Sequence, residues 1–125
     1  MMKANRLFVL VELLLILMAL CLGCASAPKP LEREPDFSGF ITDIRPNGQK
    51  GVPGQVLAES HADKIVTRYV VRVTNETLIF RRDTDDLLKE DFETLENKQW
   101  VEIWWAEPTT GTFPVLGTAA QIVIQ

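Results

Sequence analysis

The chain has 125 residues, the length of one domain, and its 24% charged and 46% hydrophobic residues are those of a globular protein rather than a disordered or fibrous one. Its formal net charge is −4, with one histidine and two cysteines. An acidic balance disfavours nucleic acid as a partner, because phosphate contacts dominate that affinity.

The hydrophobic share is unevenly spread. From Leu7 to Leu22 the only residue that is not apolar is Glu12. Lys3 and Arg6 precede this run, and Gly23 and Cys24 follow it. A basic start, an apolar middle and small residues at the end form the layout of a secretory signal. The unbroken apolar stretch Leu13 to Leu22 is ten residues long, too short at about 1.5 Å per residue to span a bilayer as a helix. Leu20-Cys21-Leu22-Gly23-Cys24 resembles the lipobox of bacterial lipoproteins. That resemblance implies lipidation of the Cys24 sulfur by diacylglycerol, cleavage before it and acylation of the new amine. Cys21 departs from the pattern, since an aliphatic residue is expected there, and Glu12 is unusual inside such a segment. An uncleaved anchor and a plain secreted protein are the alternatives. Two acyl chains anchor stably where one is marginal.

Two of the 13 basic and one of the 17 acidic residues precede Cys24, leaving 11 against 16, a mature balance of −5. Both cysteines lie in the signal region, so a processed chain has no free thiol and no disulfide. Cysteine redox chemistry and a Cys-ligated zinc site are therefore excluded from it. Ala25 to Pro35 has three prolines, four charges and one large apolar residue, Leu31. It reads as a stiffened tether. The expected division is a signal peptide over 1–23, a lipidated Cys and tether over 24–35, and a β-barrel domain over 36–125.

Within that domain β signals dominate. Phe37 to Arg45 is rich in β-branched and aromatic residues, and Gly39 inside it marks a bulge or tight bend. A loop rich in Gly and Pro follows to Gly54, then a short strand over Gln55 to Ser60. In "IVTRYVVRVTN", Tyr69, Val71 and Val73 alternate with Arg68, Val70 and Arg72, so one face is apolar and the other largely charged. Asn75-Glu76 suits a tight turn before the strand "TLIFRR". From Asp83 the period changes. Leu88, Phe92 and Leu95 are spaced as on a helix face. Asp83, Asp85 and Asp86 suit an N-terminal turn, with Asp91 capping a short helix over Phe92 to Glu96 and Asn97 ending it in the left-handed region. "QWVEIWWA" alternates again, with Val101, Ile103 and Trp105 opposite Trp100, Glu102 and Trp104. After a loop from Glu107 to Gly117 the last strand sets Ala120, Ile122 and Ile124 inward and Gln121 and Gln125 outward. Strand, strand, strand or split strand, short helix, strand, strand is the order of a small five-stranded OB-like barrel, mostly β with one short helix. Tyr69, Val71, Val73, Val101, Ile103, Ile122 and Ile124 are expected to share its core.

"FSGFITDI", "DFETLENKQWVEIWWA" and "TFPVLGTAAQIVI" also resemble the domain-of-unknown-function 3221 family of small bacterial lipoproteins. Asn97 stands where that family has a Gly. The resemblance implies that these positions maintain the fold, and it brings no activity with it.

Signs of chemistry are sparse. His61 lies two residues from both Glu59 and Asp63, a spacing open to a carboxylate-oriented base or a solvated loop. The acids from Asp83 fail as an EF-hand, because position six is Leu88 and position twelve is Thr94. No nucleophile motif is present, so no catalytic or metal-binding residue is assigned and no cofactor is expected. One of the two faces carrying tryptophan is expected to fill the barrel. The other is roofed, or it is exposed as a stacking platform, with Trp100, Trp104 and Phe113 as candidate ligand contacts and Trp104 at least partly exposed. The expected function is a non-enzymatic, envelope-anchored binding or structural module. It would sit at the cell membrane or the outer membrane, with that membrane and an envelope protein or polysaccharide as partners. The alternative is a cell-wall hydrolase using His61 and nearby carboxylates.

Overall fold

The computed structural model describes residues 9–16, 28–48 and 53–125. Cys21, Cys24 and the tip of the first loop lie outside them. Residues 9–16 are helical with exposed side chains. Among the described residues, no helix is long and apolar enough to cross a membrane.

Seven strands follow: β1 Phe37–Pro46, β2 Gly54–Ser60, β3 Thr67–Val73, β4 Leu78–Asp83, β5 Asp86–Lys89, β6 Trp100–Trp105 and β7 Val115–Ile124. β1 pairs antiparallel with β2 and β6, β2 with β3, and β6 with β7. β3 runs parallel to the first half of β7, which closes the circuit β1-β2-β3-β7-β6. This is the expected five-stranded OB-like barrel, and closing the circuit leaves no bare sheet edge within it. The hairpin β4–β5 is an addition, with β4 parallel to the second half of β7.

β3 and β4 are two halves of one split strand lying along β7. Between them the chain turns at Asn75-Glu76, where the Thr77 amide donates to the Thr74 carbonyl at 3.1 Å. Thr77 fills the gap in the ladder. Its buried hydroxyl donates to the Ala119 carbonyl at 2.7 Å, and the Thr74 amide donates to that hydroxyl at 2.9 Å. A carbonyl in such a gap would otherwise lack a partner, a costly state for a buried polar group.

The alternating strands place their apolar phase inside. Val71, Val73, Val101, Ile103, Ile122 and Ile124 are all buried in one cluster with Ile41, Val56 and Leu95, and half-buried Tyr69 packs against it. Arg72 is exposed and Glu102 half-buried, so the predicted register holds for β3 and β6. In β7 it fails at one point. A register irregularity opposite Trp104 and Trp105 pairs Trp104 with Gln121 but Trp105 with Ala119. A β-bulge shifts the phase before Gln121, so Ala119, not Ala120, enters the core. Gln121 keeps its outward phase opposite Trp104 but is 1% exposed, because the segment before β1 covers it.

The segment from Asp83 to Asn97 also differs from expectation. The acids do not start a helix. They flank the β4–β5 turn, where Thr84 has φ 56° and Asp83 pairs with Asp86. Leu88 is consequently exposed on β5, while Phe92 and Leu95 reach the core. The short helix is a single 3-10 turn, Phe92–Thr94, with Asp91 at its N-cap. The Asp91 side chain makes no capping bond; its carbonyl instead accepts from the Thr94 amide and hydroxyl. The left-handed residue after it is Lys98, φ 72°, rather than Asn97. Gly39 answers to close approach: a Cβ there would collide with the Glu59 backbone carbonyl on β2. The bulge of β1 comes later, between Ile41 and Asp43.

Candidate functional site

The barrel presents one broad outer face across β1, β2, β3 and the start of β7. Its residues are the outward phase of the alternating strands, and register stacks them in rows. One row runs Trp100, Phe40, Glu59, Arg68 across β6, β1, β2 and β3. The next is aliphatic: Leu57 opposite Val70, and Val70 beside Leu116. A third places Arg45, Gln55, Arg72 and Thr118 side by side.

A cleft of about 610 Å³ lies on this face. It is lined by Thr42, Leu57, Glu59, Arg68, Tyr69 and Val70 of the strands, by Val66 from the β2–β3 turn, and by Phe113 and Pro114 from the β6–β7 loop. Phe113 is 83% exposed, and Val66 is exposed too. A smaller cleft of about 300 Å³ shares Val70 and continues past Leu116 to Arg72 and Gln55. In OB-folds the face of strands 2 and 3 and the loop between strands 4 and 5 form the ligand-binding side. Here those elements are β2, β3 and the β6–β7 loop.

Charge on the face is organised around Glu59. Its carboxylate lies 3.3 Å from Arg68 Nε and 3.4 Å from His61 Nε2. Asp43 pairs with Arg45 at 3.2 Å. Among the described residues Arg72 makes no ion pair. The acidity of the chain lies elsewhere. Residues 76–96 hold eight acids (Glu76, Asp83, Asp85, Asp86, Glu90, Asp91, Glu93, Glu96) against Arg81, Arg82 and Lys89. That difference of five equals the acidic excess of residues 24–125, 16 acids against 11 bases, so the added hairpin and its flanks carry it while the other residues of that span are neutral.

The candidate contacts predicted from sequence are not gathered in one place. Trp100 is 41% exposed and makes an edge-to-face contact with Phe40 at 4.7 Å, at the margin of the face. Phe113 stands over the cleft. Trp104 is a correction. It is 5% exposed, covered by Phe80, Val123, Leu78 and Leu87 under the β4–β5 hairpin, and it stacks nothing from solvent. Its indole Nε1–H donates to the Arg33 carbonyl at 2.6 Å. Its roof is thus the hairpin and the segment before β1.

That segment, read as a stiffened tether, is docked from Leu31 onward. The Leu31 amide donates to Gln121 Oε1 at 2.7 Å, Arg33 Nη2 to the Trp105 carbonyl at 2.8 Å, and the Trp105 amide to Asp36 Oδ2 at 2.7 Å. Arg33 and Asp36 also pair with each other at 3.0 Å. The sequence reading missed these contacts and the Leu57–Val70–Leu116 row, since both depend on which strands become neighbours.

His61 is half-exposed, and its nearest carboxylate, Glu59, is shared with Arg68. Among the described residues no group of three or more His, Cys, Asp or Glu is placed to hold a metal ion. The fold and face thus define an OB-like barrel with an open cleft on its second and third strands. No known protein family, curated protein or solved structure matches the chain.

Proposed function

We propose that the chain is an envelope lipoprotein, anchored through Cys24, whose barrel acts as a non-enzymatic binding module. It faces the periplasm or the cell exterior. Its ligand is a component of the envelope, and an extended polysaccharide suits the face best: an aromatic lid, an aliphatic floor and arginines along the sides. The observation that carries this reading is Phe113, 83% exposed above the cleft floored by Leu57 and Val70. Exposed aromatic area in a concave site suits a bound partner. Phe113, Arg68 and Trp100 are the residues proposed to contact it, and Trp104, buried under the β4–β5 hairpin, takes no part.

The test is titration of envelope polysaccharide fragments into wild type and Phe113→Ala, read by tryptophan emission and calorimetry. Binding weakened about tenfold or more, the size of a loss of 1.4 kcal/mol, with an unchanged melting temperature supports the reading. Equal affinity in both proteins contradicts it.

A hydrolase reading has one observation in its favour, the approach of His61 Nε2 to Glu59 at 3.4 Å beside the same cleft. A general base oriented by a carboxylate would look like this. Turnover of cell-wall fragments that disappears in His61→Ala would establish it. Binding without turnover leaves the module reading in place.

A further inference from the structure

The docked segment before β1 has a consequence for how the anchored barrel sits. Its contacts fall on the outer side of β6 and β7, at Trp104, Trp105 and Gln121. In the circuit β1-β2-β3-β7-β6 the strand across from β6 and β7 is β2. The cleft centred on β2 and β3 therefore lies on the far side of the barrel from the point where the chain leaves it.

We infer that residues 31–36 act as a strap that holds this ligand face away from the anchoring bilayer, so that its ligand comes from the compartment beyond and not from the lipid surface. The inference rests on the Cys24 anchor proposed above. Magnitudes decide it. From Cys24 to Leu31 there are seven residues, a reach of about 25 Å when fully extended. A globule of about 95 residues has a radius of gyration near 12 Å, which gives a half-girth of about 50 Å. With the strap docked, the linker is too short to let the barrel roll its far side onto the membrane. With the strap released, the free chain runs 13 residues to Phe37 and reaches about 45 Å, close to that half-girth. The strap's hydrogen bonds, not the linker's composition, thus set the orientation.

The experiment uses the processed, lipidated chain in vesicles carrying a headgroup-linked energy acceptor. With Cys24 blocked by lipid and Cys21 removed, a single donor is placed at Glu32→Cys on the strap or at Thr42→Cys on the ligand face. Transfer from position 42 is expected to be several-fold lower than from position 32. Two changes should bring the two positions together: the double variant Trp104→Phe/Gln121→Leu, which removes the indole donor and the side chain that holds Leu31, and a Gly/Ser insertion doubling the linker after Cys24, which leaves the barrel untouched. Vesicle flotation is read in parallel. Floating protein with equal transfer from both positions overturns the strap while leaving the anchor intact. Protein that fails to float overturns the anchor, and the orientation falls with it.

Discussion

Trp104 and Arg33 are 71 residues apart in the chain, yet the indole nitrogen of one donates to the carbonyl of the other at 2.6 Å. The bond ties a residue at the end of β6 to the segment that precedes β1. It turns part of a proline-rich leader into a piece of the folded domain. Trp104→Phe removes the donor together with the five-membered ring. It is expected to cost about 2–4 kcal/mol, the net value of a hydrogen bond plus that of the cavity left in a buried cluster, and to raise amide exchange at Leu31 while leaving Val71 protected. Hydrogen exchange read residue by residue checks this; unchanged protection at Leu31 would mean that the strap is held by its other contacts alone.

The core prediction is larger. Ile103 is fully buried between β1 and β7 partners, so Ile103→Ala should destabilise by about 2–5 kcal/mol. Glu102→Ala, one residue away on the outer side, loses an exposed pair with Arg82 at 3.1 Å and should cost no more than about 1 kcal/mol. Denaturant titration of the two variants compares inside with outside on one strand.

Gly39→Ala tests the β1–β2 seam. The added methyl meets a backbone carbonyl, which has no rotamer by which to yield. A loss of about 1–3 kcal/mol is expected, in the range of overpacked sites, and it should come with weakened protection across Phe40 and Glu59. A neutral substitution would place the seam further apart than described.

Cys24→Ser tests the anchor. Loss of the acylated mature mass, with the chain stranded as uncut precursor or released, is expected. The same mass and the same membrane fraction in the variant would remove the lipoprotein reading. Phe113→Ala, by contrast, should leave stability within about 0.5 kcal/mol, because the ring lies largely in solvent.

The barrel was legible from sequence because alternation reports burial directly. Val71, Val101 and Ile103 lie on the apolar phase of strands whose other phase carries Arg or Glu, and only one register buries them. The split third strand was legible too, from the turn residues Asn75-Glu76. Three features were hidden. The β7 bulge swaps Ala119 for Ala120 without any local signal in "GTAAQIV". The helix-like spacing of Leu88, Phe92 and Leu95 arises from a β-hairpin followed by a single turn, two elements whose apolar residues happen to fall three and four apart. The fate of Trp104 depended on neighbours 24 residues before it, at Phe80, and 71 before it, at Arg33. The net charge of the chain concealed where that charge lies, on the hairpin and away from the candidate face.

The central claim, that the β2–β3 face with its Phe113 lid is the ligand side, is tested most directly by amide chemical-shift mapping of the folded domain with envelope polysaccharide fragments. The account predicts perturbations at Leu57, Glu59, Arg68, Val70 and Phe113, falling to nothing at Asp85 and Leu88 on the hairpin. Shifts centred on the hairpin, or on the strap side at Arg33 and Gln121, would contradict it.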